Sequence, residues 1–468
     1  MKHLADELVK RKHEVTWVEY GPIQTKTILP KEVKRLFWLV QFNDQALTDI
    51  FVHRNHSSHE MIWNADFELV NEQTTAWLAS IRLCDRLLMK NKDKFDQLAK
   101  MKFDTVIIDD LYNPCGLLQA ALKGSVFIYW SLTSLRTESA WANQSPSPPS
   151  YLPVPGTKLT DNLTFVERTY NFIYYLRALY IHQHIIHSRI DAVFQKHYPG
   201  VASAFDIERN ASINFVNNPP IFDFARPYMP RVNFVGGLHC RNATALPGAL
   251  SSFLEGASEK DGFILITTGF TAQWDKAPKQ IVNTFVELFR ALPNIRFVWQ
   301  YNGKPMNDLP KNVVTQDWLP QQDLLGYDNL IRISARGAGL LIEKEQLSTE
   351  KLLWAVEEIR DKKYKDEMLV FQDMVRDVPY TELTHAAFWV EFIERHQEVP
   401  HARSGADRLN VFQYFLVDVI LFLVSILAVT IAILVFAIKI IFRIFKYMVI
   451  LAFNKKHTYR VTKAKKTN

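Results

Sequence analysis

Apolar positions recur along this chain with two periods, and each period marks an element. Leu4, Leu8 and Val9 make a helical stripe in the opening segment, and "EVTWVEY" (14–20) then alternates as a strand. Within "FDTVIIDDLYNPCGLLQAALKGSVFIYWS" (103–131), a short buried strand is expected at Val106–Ile108. A helix follows from Pro114 and a second strand at Val126–Tyr129. A further block starts near Asp261. "FILITTG" (263–269) reads as a buried strand, and Pro278, Ile281, Phe285, Leu288, Phe289 and Leu292 mark an amphipathic helix. "RFVWQY" (296–301) is the next strand, and "LSTEKLLWAVEEI" (347–359) another amphipathic helix. Strands alternating with helices predict an α/β architecture with parallel sheets. Such a unit normally opens on a strand, so a start on a helix implies that the first strand has been cut away.

Between the two blocks, "SPSPPSYLPVPG" (145–156) is a proline-rich loop. "TFVE" (164–167) has the spacing of a capping box and opens an aromatic helix. Phe165, Tyr170, Phe172, Tyr174, Tyr175 and Tyr180 of that helix are candidates to line an apolar cleft or to rest on a membrane surface; ordinary core packing accounts for half of them. Near the C-terminus, Val419–Ile438 is twenty residues without a charge, the length of a bilayer-crossing helix. "YMVILAF" (447–453) is too short to span and is expected at the interface.

Composition sharpens this picture. The chain has 468 residues, long enough for two domains, and a formal charge of +6. Nine Lys and Arg and no acidic residue follow from Lys439 onward, so residues 1–438 carry +6 − 9 = −3. A mildly acidic body argues against nucleic-acid binding. The basic flank places the tail in the cytosol and the body across the membrane. Five Asn-x-Ser/Thr sequons, at Asn55, Asn143, Asn162, Asn210 and Asn242, all precede the span and agree with a lumenal body. Cys84, Cys115 and Cys240 form no metal pattern and imply no disulfide framework. "MKHLADELVKRKHEV" is a charged amphipathic helix rather than an apolar signal segment.

Two places carry candidate chemistry. Asp109 and Asp110 stand at the C-terminal end of the Val106–Ile108 strand, where open α/β sheets collect functional residues; a strand-ending turn is the alternative. The Thr-Thr-Gly turn after "FILI" can aim backbone N–H groups at an anion.

Several segments, in order, resemble the membrane-bound animal UDP-glycosyltransferases, the UDP-glucuronosyltransferase family. They are "FDTVIIDD…NPCG", "SYLPVPG…DNLTFVERTYN", "WLPQQDLLG", "ARGAGL" and "HAAFWVEF…RH…H", followed by the terminal span and its Lys-rich tail. The likeness covers nearly the whole chain. It implies the GT-B fold, two Rossmann-like domains facing a cleft, plus one C-terminal transmembrane helix. It also implies sugar transfer, with inversion, from a UDP-sugar co-substrate to a hydroxyl of a small lipophilic acceptor, with no cofactor and no metal. On this basis residues 1–250 would take the acceptor and 251–410 the UDP-sugar, the second domain being shortened near 328–335. The span would be 419–438 and the cytosolic tail 439–468. Carried over by position, Trp318 would stack on uracil and Gln321 would bond the nucleoside. Thr267, Gly269 and Thr271 would flank the diphosphate, although Phe270 stands where a small hydroxyl residue is usual. Asp109, with Asp110 as alternate, would steady the catalytic base. The resemblance further implies an endoplasmic reticulum membrane protein, single-pass, with homo- or hetero-oligomers of family members as candidate assemblies.

Two departures weigh on activity. The family's catalytic His lies in a loop just upstream of the opening helix; that loop is absent, and His3 sits inside the helix at the wrong place. After "WLPQQDLLG" the chain passes through "NLIRIS" directly to "ARGAGL", so the family's diphosphate and sugar contacts are missing. Weak or absent transfer is expected of the chain as written. The competing expectation is a shortened, non-catalytic member that binds and modulates full-length transferases.

Overall fold

The computed structural model describes residues 1–25, 27–41, 62–64, 74–124, 126–240, 244, 246, 248–257, 261–269, 272–319 and 338–464. Two compact units emerge, Met1–Arg403 and Ser404–Asn468. In the first, every described strand pair is parallel, as the alternation of strands and helices requires.

The first lobe holds two sheets. Strands β1 (Thr16–Gly21) and β2 (Lys34–Leu39) pair with each other. Strands β3 (Val106–Asp109), β4 (Phe127–Ser131), β5 (Ile213–Val216) and β6 (Val232–Phe234) form a second sheet in that spatial order. Every residue of β4 is buried, and the pleat divides its side chains between two cores. Phe127 and Tyr129 join Leu87, Leu88, Phe95, Leu117 and Phe194 on one face. Ile128 and Trp130 join Leu4, Leu8, Ile213 and Phe215 on the other. Because both faces are covered, these strands read as continuous apolar runs.

β1 and β3 do not pair among the described residues. Between them lies a cavity of about 720 Å3, lined by Thr16, Trp17, Val18 and Glu19 from one strand and by Thr105, Ile107 and Asp109 beside and along the other.

The second lobe carries β7 (Phe263–Ile266), β8 (Arg296–Gln300) and β9 (Val313–Gln316), ordered β7-β8-β9. Phe297 and Trp299 pack with Trp274, Leu288 and Phe289 on one face, while Val298 meets Leu250 and Leu319 on the other. The helix Glu382–His396 follows this lobe in sequence but packs in the core of the first. Ala386, Ala387, Val390 and Ile393 lie against Ile128, Trp130, Ile213 and Phe215. Two adjacent alanines let the helix axis approach the strands closely.

Three expectations need correction or completion. Cys84 and Cys115 form a disulfide, which their spacing did not imply; exposed Cys240 takes no part in it. The Asn143 sequon is 1 % exposed, its side-chain oxygen accepting the Ser145 N–H at 3.0 Å, so the folded surface does not present it. Asn162 and Asn210 are exposed. Of the six aromatics on the helix Phe165–Tyr180, only Tyr175 is buried, while Phe165, Phe172 and Tyr180 are exposed; core packing therefore claims fewer than half.

In the second unit, the helix Val417–Ala464 runs without a break through "YMVILAF", which is not a separate interfacial piece. Its Val417–Leu451 portion is long and apolar enough to cross a membrane, and none of it is buried within the protein.

Candidate active site

Both lobes place their candidate residues beyond the carboxyl ends of parallel strands, where helices and loops leave the sheet open. In the first lobe, consecutive residues of β3 point to opposite sides and so meet different environments. Asp109 lines the cavity beside β1. Its Oδ1 accepts the Leu111 N–H at 2.9 Å, yet burial, reinforced by neighbouring Asp110, pushes its pKa up to about 6. Asp110 is 1 % exposed. Its Oδ2 accepts the Ser131 hydroxyl at 2.5 Å and the Arg136 guanidinium at 3.2 Å. Arg136 also reaches Glu138 at 2.8 Å, and its charge is held by carboxylates on both sides. Of the two acids, Asp109 is the one with its carboxyl toward open space. Asp110 belongs to a buried ion pair that fixes the loop after β4.

That loop borders a second cavity, of about 270 Å3. Thr133–Glu138, Val154–Gly156 and the stretch from Tyr174 to Ile186 contribute to its walls, with Trp77 beside them. Asn171 secures the proline-rich loop here: its Oδ1 accepts the Val154 N–H, and its Nδ2 donates to the carbonyls of Pro149 and Leu152, all at 2.8 Å.

In the second lobe, Trp318 follows β9 and is 63 % exposed, so it is no core anchor. Gly269 takes φ +62°, a left-handed turn that glycine adopts without strain. The Thr267 hydroxyl donates to Gln300 Oε1 and accepts the Gly269 N–H at 3.2 Å, so both its roles are filled within the turn. Gln300 Nε2 donates to the Gly269 carbonyl at 2.9 Å and to the Asp317 carbonyl at 3.4 Å. One buried amide thus joins the turn after β7 to the residue preceding Trp318. Thr267 and Gly269 are therefore tied to Asp317, the residue before Trp318, while Gln321, Phe270 and Thr271 lie outside the described residues.

Gln300 was not anticipated as a site residue. Its signal was present, a lone amide ending the apolar run "RFVWQ". Arg136 had no comparable signal, since it stands 26 residues from the acid it neutralises.

Comparison with known proteins bears on the family and the fold. The family model described as "UDP-glucoronosyl and UDP-glucosyl transferase" matches residues 1–328 and 326–452, two segments that meet where "WLPQQDLLG" breaks off. The human UDP-glucuronosyltransferase 2B17 is 28 % identical over 478 residues, covering 92 % of this chain and 88 % of the relative. The rabbit UDP-glucuronosyltransferase 2C1 is 28 % identical over 472 residues and 92 % of each chain. Among solved structures, the glycotransferase of kitacinnamycin aligns with a TM-score of 0.51 at 16 % identity, covering 83 % of this chain and 94 % of the other. A Phytolacca americana enzyme complexed with UDP-2fluoro-glucose and pterostilbene aligns with a TM-score of 0.51 at 14 % identity, covering 84 % and 96 %. At such identities the structures speak to the fold alone, which is GT-B. The match of the family model over nearly the whole length makes this chain a member of the UDP-glucuronosyl and UDP-glucosyl transferase family of hexosyltransferases.

Proposed function

We propose that this chain is a membrane-anchored UDP-glycosyltransferase that delivers a sugar from a UDP-sugar to a hydroxyl of a small lipophilic acceptor, with inversion. The observation that carries the reading is the exposed indole of Trp318, held beside the turn at Gly269 by the shared amide of Gln300. A rigid aromatic face on a loop tied to a second loop is suited to receive a flat base at small entropic cost. Asp109 supports the acid–base half. A carboxyl with a pKa of about 6 works near neutrality, holding a base in orientation or exchanging a proton with it. The cavity walled by Trp77, Val154, Tyr174 and Ile186 favours an apolar acceptor. No step in this scheme calls for a metal or a cofactor.

The body is proposed to face the endoplasmic reticulum lumen. The Cys84–Cys115 disulfide suits an oxidising compartment, and the basic residues after Ile438 suit a cytosolic tail.

Calorimetric titration of the detergent-solubilised full chain with UDP tests the donor half. Binding should be measurable and should weaken by about 5- to 150-fold in Trp318→Ala, since aromatic stacking on a base contributes roughly 1–3 kcal/mol. Incubation with UDP-sugars and a lipophilic phenol, read by the anomeric coupling constant of the product, tests the transfer. UDP binding without product would mark a chain that keeps the donor platform but not the reaction. A product with retained configuration would overturn the proposed mechanism.

A further inference from the structure

Two imidazoles and a carboxylate converge inside the first lobe, apart from the residues assigned to donor or acid. His182 and His187 lie on one π-helical turn, Ile181–His187, and Glu208 on the helix Ala204–Arg209; all three are buried. His182 Nε2 is 3.6 Å and His187 Nε2 3.2 Å from the same oxygen, Glu208 Oε2. The ligand atoms of all three lie within 4.8 Å of one another.

The local backbone explains the convergence. On an α-helix of 3.6 residues per turn, side chains five apart diverge by about 140°. The π-helical turn bonds i to i+5 and brings residues 182 and 187 toward one face. Such turns are concentrated at functional sites. Tyr129 donates its hydroxyl to Glu208 Oε1 at 3.2 Å, which leaves Oε2 directed at the two rings. His187 is 2 % exposed, and neither of its ring nitrogens makes a hydrogen bond. His187 Nε2 nonetheless stands within ion-pair distance of the carboxylate, so a metal-free ion triad is the alternative that zinc uptake decides against.

The two carboxylate–imidazole separations also suit a shared ion. Zinc bound at 2.0–2.2 Å in tetrahedral geometry keeps its ligand atoms roughly 3.3–3.5 Å apart; these two, 3.2 and 3.6 Å, bracket that value, and all three ligand atoms lie within 4.8 Å of one another. Two imidazoles with one carboxylate select a borderline transition ion over magnesium or calcium, which prefer all-oxygen shells. His182 also lines the cavity of about 270 Å3, through which the ion and a water can arrive. We propose that His182, His187 and Glu208 form a three-ligand zinc site whose fourth position is taken by water. Tyr129 orients the carboxylate from behind, in the manner of outer-sphere partners at metal sites. The ion clamps the π-helical turn to the helix Ala204–Arg209, and its water-held fourth position leaves the coordination sphere open toward the cavity.

Detergent-solubilised full chain, stripped with a chelator, should take up one equivalent of Zn2+ with a rise in melting temperature. Mg2+ should produce no rise. Co2+ in place of zinc should give the intense visible bands of a tetrahedral site. His187→Gln and Glu208→Gln should each lose that equivalent while retaining helical circular dichroism. Equal zinc uptake by the unmodified chain and His187→Gln would overturn the site, as would a melting temperature indifferent to Zn2+. If the variants do not fold, the cobalt spectrum of the unmodified chain decides, and absence of tetrahedral bands refutes the proposal. UDP binding is read separately, so the donor reading can fail while the zinc site stands, or the reverse.

Discussion

Adjacent residues with the same side chain have different fates here because a strand alternates its faces. Asp109 keeps a carboxyl toward a cavity, and Asp110 is locked to Arg136. Asp109 therefore has a signature in pH. Its folded pKa, about 6, lies above the ordinary carboxyl value of 3.8, so the folded state binds the proton more tightly than the unfolded chain. This acid consequently subtracts from stability as pH rises from about 4 to about 6, by on the order of 3 kcal/mol in all. Asp109→Asn should remove that slope and leave the variant the more stable above pH 6, as urea midpoints measured across pH would reveal. Arg136→Met should act oppositely. Stripping Asp110 of its partner leaves a buried, uncompensated charge, and a loss of about 3–5 kcal/mol is expected in the same assay. Gln300→Leu keeps the volume but frees the carbonyls of Gly269 and Asp317. Both bonds are only part-buried, so each loss costs about 0.5–1.5 kcal/mol. UDP affinity should fall although the side chain need not touch the nucleotide.

At the scale of elements, the strands and helices that sequence periodicity foretold are those with buried apolar runs. Val106–Asp109, Phe127–Ser131, Phe263–Ile266 and Arg296–Gln300 all appear within a residue or three of expectation. The capping box at Thr164 and Glu167 forms in full. Strands β2, β5, β6 and β9 were not anticipated: β6 has only three residues, and polar positions such as Lys34 and Arg35 of β2 and Asn214 of β5 interrupt the apolar pattern. Period alone also says nothing of which partner an amphipathic helix will choose. Glu382–His396 shows this, leaving the lobe it follows to cover the sheet of the other. Its two alanines are matched to that close approach. Ala387→Leu should overpack the contact with β4 and β5 and cost about 1–3 kcal/mol, read as a lower thermal midpoint. A leucine at exposed Phe388 should cost nothing measurable.

For the molecule as a whole, the apolar C-terminal helix and the α/β body answer to different solvents. A charge-free run is a local, additive property, and the sequence located it, although the apolar helix extends beyond Val419–Ile438 to Leu451. Truncation after Arg403 removes the entire second unit. The shortened chain should leave the carbonate-resistant membrane pellet, whereas the full chain should stay in it. The cavity between β1 and β3 is the opposite case, since no single segment encodes it. It arises because two strands, eighty-odd residues apart, keep free edges toward each other.

By itself, the sequence determined the main element types, the apolar C-terminal run, the family and the strand-end address of Asp109, because each depends on residues close together in the chain. Only the tertiary structure decided which acid faces open space, that Cys84 meets Cys115, that Asn143 is sealed inside and that Gln300 ties two loops. It also brought His182, His187 and Glu208 to one point. These outcomes depend on packing between distant segments and on a π-helical register, and neither leaves a periodic mark in the order of residues.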